Sequence, residues 1–243
     1  IPGQRFTPSL TNGVTVYPLA LSLIVMDSAT GRVQRADATP SFRANQTVGS
    51  GKWFRATLDL QAAPMEQAEY RVVIENAANP SQGDIRSGSQ NIPSFAGTSL
   101  MVSDLVIGEA GDGRWRRGTQ DINPIPSHQI ERGKSFKLFY EIYNLQQGAK
   151  YRTAIRVAPK ESGGIAGALK SLIGKKQAVE FNFDDVAGTP TEMYGLQQLR
   201  TIGADLEAGQ YDLTVTVTNV DNAATATRKT KLIVLSEKDL KAK

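Results

Sequence analysis

The residues of this chain best suited to making contacts are Arg114, Trp115, Arg116 and Arg117, where one indole stands among three guanidiniums. Tryptophan and arginine are the side chains most enriched at the energetic centres of interfaces. The run reads as an exposed loop and is the first candidate partner contact. Its alternative is a tryptophan folded under a sheet edge with the arginines left in water. A second candidate is the stripe Ile165, Ala168, Leu169, Leu172 and Ile173, at helical spacing, with Lys170, Lys175 and Lys176 beside it. A helix of about nine residues does not hold alone in water. The stripe must therefore be buried, either as a cap on one end of a domain or against a partner protein or an anionic membrane surface.

Catalysis has less to draw on. Cysteine is absent, which removes disulfides, thiolate metal sites and a cysteine nucleophile. His128, the one histidine, lies in the proline-punctuated run Asn123-Pro-Ile-Pro-Ser-His128 and reads as a surface loop residue. One histidine gives neither a zinc ligand set nor an obvious serine-histidine-aspartate grouping. Asp184 and Asp185 are adjacent on a strand pattern, so their side chains point to opposite faces and do not share a substrate. Asp104, Asp112 and Asp121 could gather around a loop as calcium ligands, yet they lack the spacing of a calcium-binding loop. Gly108-Glu-Ala-Gly-Asp-Gly113 has no lysine and serine after it and reads as a loop, and the glycines leading to Gly174-Lys175-Lys176 miss the spacing of a phosphate loop. Asn45-Gln46-Thr47 fits the N-glycosylation pattern, which arises often by chance. No catalytic residue, cofactor or metal is expected.

The 28 basic and 24 acidic residues give a net charge of +4 and are scattered, whereas a nucleic-acid binder concentrates its charge on one element. No nucleic-acid partner is expected. The tail at Lys238, Lys241 and Lys243 reads as a solvated, fraying end. No run approaches the roughly 18 apolar residues of a membrane span, the longest being Leu19 to Met26. The first residue is Ile1 rather than methionine, and removal of a signal peptide is compatible with that.

What positions these residues is β structure. Apolar and polar residues alternate through Val14 to Tyr17, Phe54 to Leu60, Tyr70 to Ile74, Leu100 to Ile107, Phe136 to Tyr143, Tyr151 to Val157, Val179 to Phe183, Tyr211 to Val217 and Lys231 to Leu235. Turn formers such as Ala29-Thr30-Gly31, Gly49-Ser-Gly51 and Asn79-Pro80 separate them. There is also an internal repeat. Glu66 to Asn76 aligns without a gap on Glu207 to Val217, an offset of 211 − 70 = 141 between Tyr70 and Tyr211, and Ile92 then falls on Ile233. Each copy reads as a polar turn, a tyrosine-initiated strand, a polar loop and a closing strand. The last two strands of an immunoglobulin-like sandwich, with a tyrosine early in the penultimate one, have that form.

From Ile92-Pro-Ser-Phe-Ala-Gly97 through Leu100 to Ile107, and again in Leu138 to Leu145 and Leu206 to Val215, the chain resembles the C-terminal β-rich portion of bacterial GWxTD-domain proteins, whose namesake motif is absent here. The resemblance implies a bacterial, exported protein and carries over no catalytic residue.

The expectation is thus an all-β chain of two tandem immunoglobulin-like or fibronectin-III-like β-sandwich domains, residues 1–95 and 96–237, with a short helical insertion near 160–177 in the second and a tail at 238–243. It is expected to be a non-catalytic accessory subunit, periplasmic or on a bacterial surface, that docks onto a larger envelope complex, membrane-bound complexes included, with peripheral membrane contact as a further option. The alternative is a carbohydrate- or small-ligand-binding sandwich, for which Trp53 and Trp115 are the available indoles.

Overall fold

The structure is a computed structural model that describes residues 2–49, 52–111, 115–160, 177–188, 195–203 and 205–241. Arg114, Asp112 and the stripe Ile165, Leu169, Leu172 and Ile173 lie outside the described residues. The chain is all-β and divides into two compact units between Ser94 and Phe95.

The first unit is built on one sheet of six strands: β1 (Ser9–Thr11), β2 (Val14–Asp27), β3 (Val33–Ala38), β4 (Ser41–Ala44), β5 (Met65–Asn76) and β6 (Asn79–Ile92). Strand β2 alternates as its sequence dictates, with Tyr17, Leu19, Leu21 and Val25 buried on one face. It pairs with β1 and β4 along its first half and with β3 and β5 along its second. The β1–β2 turn is Asn12-Gly13, both at positive φ (51° and 75°), as a two-residue hairpin turn requires. No second sheet among the described residues covers the buried face. Residues 45–49 and 52–64 do so instead, without forming a strand. The alternation in Phe54 to Leu60 had suggested one, and it serves another end. Phe54 is buried against Tyr17 and Phe42, each ring centroid 4.7 Å away, and Leu58 and Leu60 pack on the same face. The segment follows the sheet surface rather than its hydrogen-bonding edge.

The second unit is a sandwich of two sheets. One holds β7 (Met101–Val102), β8 (Val106–Ala110), β9 (Arg116–Arg117), β10 (Gln120–Pro124), β12 (Phe136–Tyr143) and β15 (Leu196–Ile202). The other runs in the order β11 (Gln129–Glu131), β17 (Thr225–Leu235), β16 (Gly209–Asn219), β13 (Lys150–Pro159), β14 (Val179–Val186). Between them lies one core, with Leu138, Tyr140 and Ile142 of β12 facing Ile155 and Val157 of β13 and Leu213, Val215 and Val217 of β16. Strand β11 pairs with β17 in parallel while its neighbours are antiparallel. Gly108, Glu109 and Ala110, read above as loop, belong to β8. A Cβ at Gly108 would stand 2.5 Å from the Asn123 carbonyl and from Ile122, so glycine is what lets β8 and β10 approach.

The two tyrosines of the internal repeat behave differently. Tyr211 is buried and its hydroxyl donates to the Glu207 carbonyl at 2.6 Å, the bond of a tyrosine corner. Tyr70 lies flat across Gly88 of β6, its hydroxyl 2.6 Å from where a Cβ would be. After Leu235 the chain does not fray at once. Ser236 and Asp239 cap each other reciprocally, Asp239 accepting from the Ser236 amide and hydroxyl and donating its amide back, and α1 (Glu237–Lys241) follows.

Candidate functional site

Strand β12 is buried on both faces. Its inner residues fill the sandwich, and its outer row, Phe139, Glu141 and Tyr143, is covered by the chain's own segments. Trp115, half-buried, meets Phe139 edge to face at 5.4 Å. Phe95 stacks on Tyr143 at 4.2 Å, and Asn144 donates to the Phe95 and Ser99 carbonyls, pinning that segment. Between these rings sits Glu141, its side chain 9% exposed. Arg117 donates to it through Nε (3.0 Å) and Nη2 (3.4 Å), and Tyr143 donates its hydroxyl to Oε2 at 2.7 Å. Burial, and then the hydrogen bond to Glu141, push the Tyr143 phenol above its usual range. The pocket is cut to this triad: a Cβ on Gly195 would fall 2.6 Å from Glu141 Cβ, and Gly118, at φ 57°, turns the β9–β10 hairpin against Gln197.

The Arg-Trp run therefore divides. Arg117 and Trp115 hold the hairpin to the sheet. Arg116 is exposed, paired across the hairpin with Asp121. The guanidinium and the phenol together take three of the carboxylate's lone-pair positions, and the triad anchors the hairpin to the sheet.

A second polar cluster lies between the sheets where β14 and β15 face each other. Arg200 donates to Asp185 and to Gln198, stands 4.5 Å over the Phe183 ring, and Gln198 in turn donates to the Tyr151 hydroxyl. The Tyr140 hydroxyl, Thr153 Oγ1 and Arg200 Nε face one another deeper in, without a well-formed hydrogen bond. As their strand positions require, Asp184 and Asp185 part company: Asp184 points out to Arg152, whose guanidinium holds its carboxyl below the usual range, and Asp185 points in to Arg200. A charge directed inward from an outer strand discourages further strand pairing.

His128 adopts φ 50°, with Nδ1 3.1 Å from the Lys231 carbonyl and 3.2 Å from Thr230 Oγ1, at the point where β11 joins β17. Asp104 is 94% exposed and faces Arg228. Among the described residues no group of three or more metal-ligating side chains converges, and no helix is long and apolar enough to cross a membrane.

The first unit offers a different surface. Strand β6 is 14 residues long and pairs with β5 on one side; on its other side it pairs with no described strand. Beside it, between the sheet and residues 58–62, opens a cleft of about 360 Å³ lined by Leu23, Val25, Leu60, Tyr70, Gln90 and Ile92 among others. The sequence predicts a polar loop and then a closing strand ending near Ile92 here; the structure has strand from Asn79 onward, through a stretch in which Ile85 is the one apolar side chain between Ser81 and Asn91.

No family model matches the chain, and no curated protein matches it. Among solved structures it is similar to Escherichia coli alpha-2-macroglobulin activated by porcine elastase, at 7% identity and a TM-score of 0.31, covering 92% of this chain and 20% of that one. It is also similar to Salmonella alpha-2-macroglobulin reacted with methylamine, at 8% identity and a TM-score of 0.30, over 92% of this chain and 23% of that one. The chain thus spans about a fifth of the length of each.

Proposed function

We propose that this protein is a non-catalytic accessory module of a bacterial envelope, periplasmic or surface-exposed, that docks by protein-protein contacts onto a larger assembly. The observation that carries the reading is the outer edge of β6, which no strand among the described residues pairs with. A row of backbone donors and acceptors presented over this length is a template for another polypeptide. The buried carboxylate of the second unit supports it, since Glu141 is committed to holding a surface hairpin. The exposed Arg116 on that hairpin offers a second contact point. The envelope setting rests on the sequence resemblance described above.

Gentle solubilisation of native envelopes followed by affinity capture of the full chain tests this. Recovery in a complex of defined composition, resistant to salt, is the expected result. Recovery as free monomer under all mild conditions would overturn it.

A further inference from the structure

Edge strands in natural sheets are blunted by proline, lysine, bulges, brevity or inward charge. The edge at β14 follows that rule through Asp185, and β9 does so by being two residues long. Strand β6 does not. From Ser81 to Ile92 it holds neither proline nor lysine, and its register with β5 is unbroken from Gly83 to Gln90. Four of its side chains there are small, those of Gly83, Ser87, Gly88 and Ser89.

The same register puts Arg86, Gly88, Gln90 and Ile92 on the face shared with Val72, Tyr70, Ala68 and Met65, where Arg86, Gly88 and Gln90 are exposed. Gln90 and Ile92 also line the cleft. The cleft therefore reaches the free edge, and the Tyr70 phenol, lying across Gly88, forms its floor. A strand added beside β6 would run about 4.8 Å away and direct every second side chain to this face. At about 360 Å³ the cleft sits at the small end of binding sites and suits one bulky side chain.

Resting on the docking reading above, we infer that the edge of β6 and the adjoining cleft together take an extended peptide segment of the partner, paired backbone to backbone and seating one bulky apolar side chain among Leu23, Val25, Leu60, Tyr70 and Ile92. Only an extended polypeptide matches alternating backbone donors and acceptors at strand spacing, which excludes a lipid or a small metabolite. A second copy of this chain pairing through its own β6 fits less well, because of the side chains it would bring to this face Asp84, Arg86 and Gln90 are charged or polar and only Ile92 is apolar.

The test uses the full chain and three fluorescein-labelled probes: Lys-Thr-Val-Thr-Phe-Thr-Val-Thr-Lys, the same peptide with serine for phenylalanine, and one with proline for both valines. Burying the phenyl group supplies roughly a ten- to hundredfold gain. In anisotropy titrations the phenylalanine peptide should bind at least about tenfold tighter than the serine peptide, and the proline peptide should not bind. Hydrogen exchange should slow in residues 86–92 on binding. Gln90→Lys, which turns a charge into the cleft, and Ala62→Phe, which fills it, should each weaken binding about tenfold or more, while Thr227→Lys in the second unit leaves it unchanged; circular dichroism confirms that each variant is folded. Equal affinity for the phenylalanine and serine peptides, or protection confined to other strands, would overturn the inference. So would an envelope complex that forms undiminished on the Gln90→Lys chain, and that outcome leaves the docking reading standing. A chain that binds the peptide as expected yet is only monomeric in envelopes overturns the docking reading instead.

Discussion

Glu141 keeps its charge below the surface because Arg117 and Tyr143 both donate to it. Removing one partner of such a buried pair leaves an uncompensated charge, whereas the pair itself adds little over an apolar substitute. With about half of the Arg117 side chain in water and the Tyr143 bond retained, Arg117→Met should cost about 1–2 kcal/mol in denaturant unfolding, and the double substitution Arg117→Met with Glu141→Leu should recover most of it. A single substitution without measurable cost would show that the carboxylate is solvated. The tyrosines make a pH prediction. Burial, and then the nearby Asp185 charge, push the Tyr151 phenol up to about 12, whereas an unfolded tyrosine ionises near pH 10. Below about pH 10 both states hold the proton and the stabilising difference is complete. Between about pH 10 and 12 the unfolded chain releases it while the folded chain does not, so stability falls across that window. The alkaline fall in unfolding free energy should be shallower in Tyr151→Phe than in wild type; equal slopes would contradict the assignment. Sequence alone gave Arg117 the same standing as Arg116, because nothing local marks Glu141, 24 residues away, as its partner.

At the scale of elements, the strands that alternate were legible and those set by tertiary contact were not. Strands β2, β13 and β16 read directly from buried rows such as Tyr151, Ile155 and Val157. Strand β6 is mostly polar, with Ile85 and Ile92 too far apart to make an alternating row, and is a strand because β5 pairs with it. Phe54 to Leu60 alternates as a strand does, yet it covers a sheet face. Phe54→Ala should cost about 3–4 kcal/mol, as expected for a buried aromatic stacked on two rings. In urea unfolding followed by tyrosine fluorescence, a loss below about 1 kcal/mol would mean that residues 52–64 do not form part of the core. The reciprocal cap at Ser236 and Asp239 was present in the sequence as Ser-Glu-Lys-Asp and was passed over because basic residues dominate the tail.

For the whole molecule, each unit has its own apolar core, one around Tyr17 and Phe54 and one around Tyr140 and Val215. The Phe54→Ala loss should appear in the transition of the first unit and leave that of the second in place. Composition and alternation were enough to reach the all-β class, because burial on a pleated surface imposes a period of two on any sequence. The candidate contact site was not reachable in that way. An open edge is a property of what fails to pair with it, and only the assembled sheet reveals it. The claim that this chain works by docking is tested most directly by a photo-crosslinking amino acid placed in living cells at Ser89 on β6, at Arg116 on the β9–β10 hairpin, and at Thr227 as a control. The expected result is a discrete higher-mass adduct from Ser89 that Thr227 does not give. Monomer alone at both Ser89 and Arg116 would contradict the docking function.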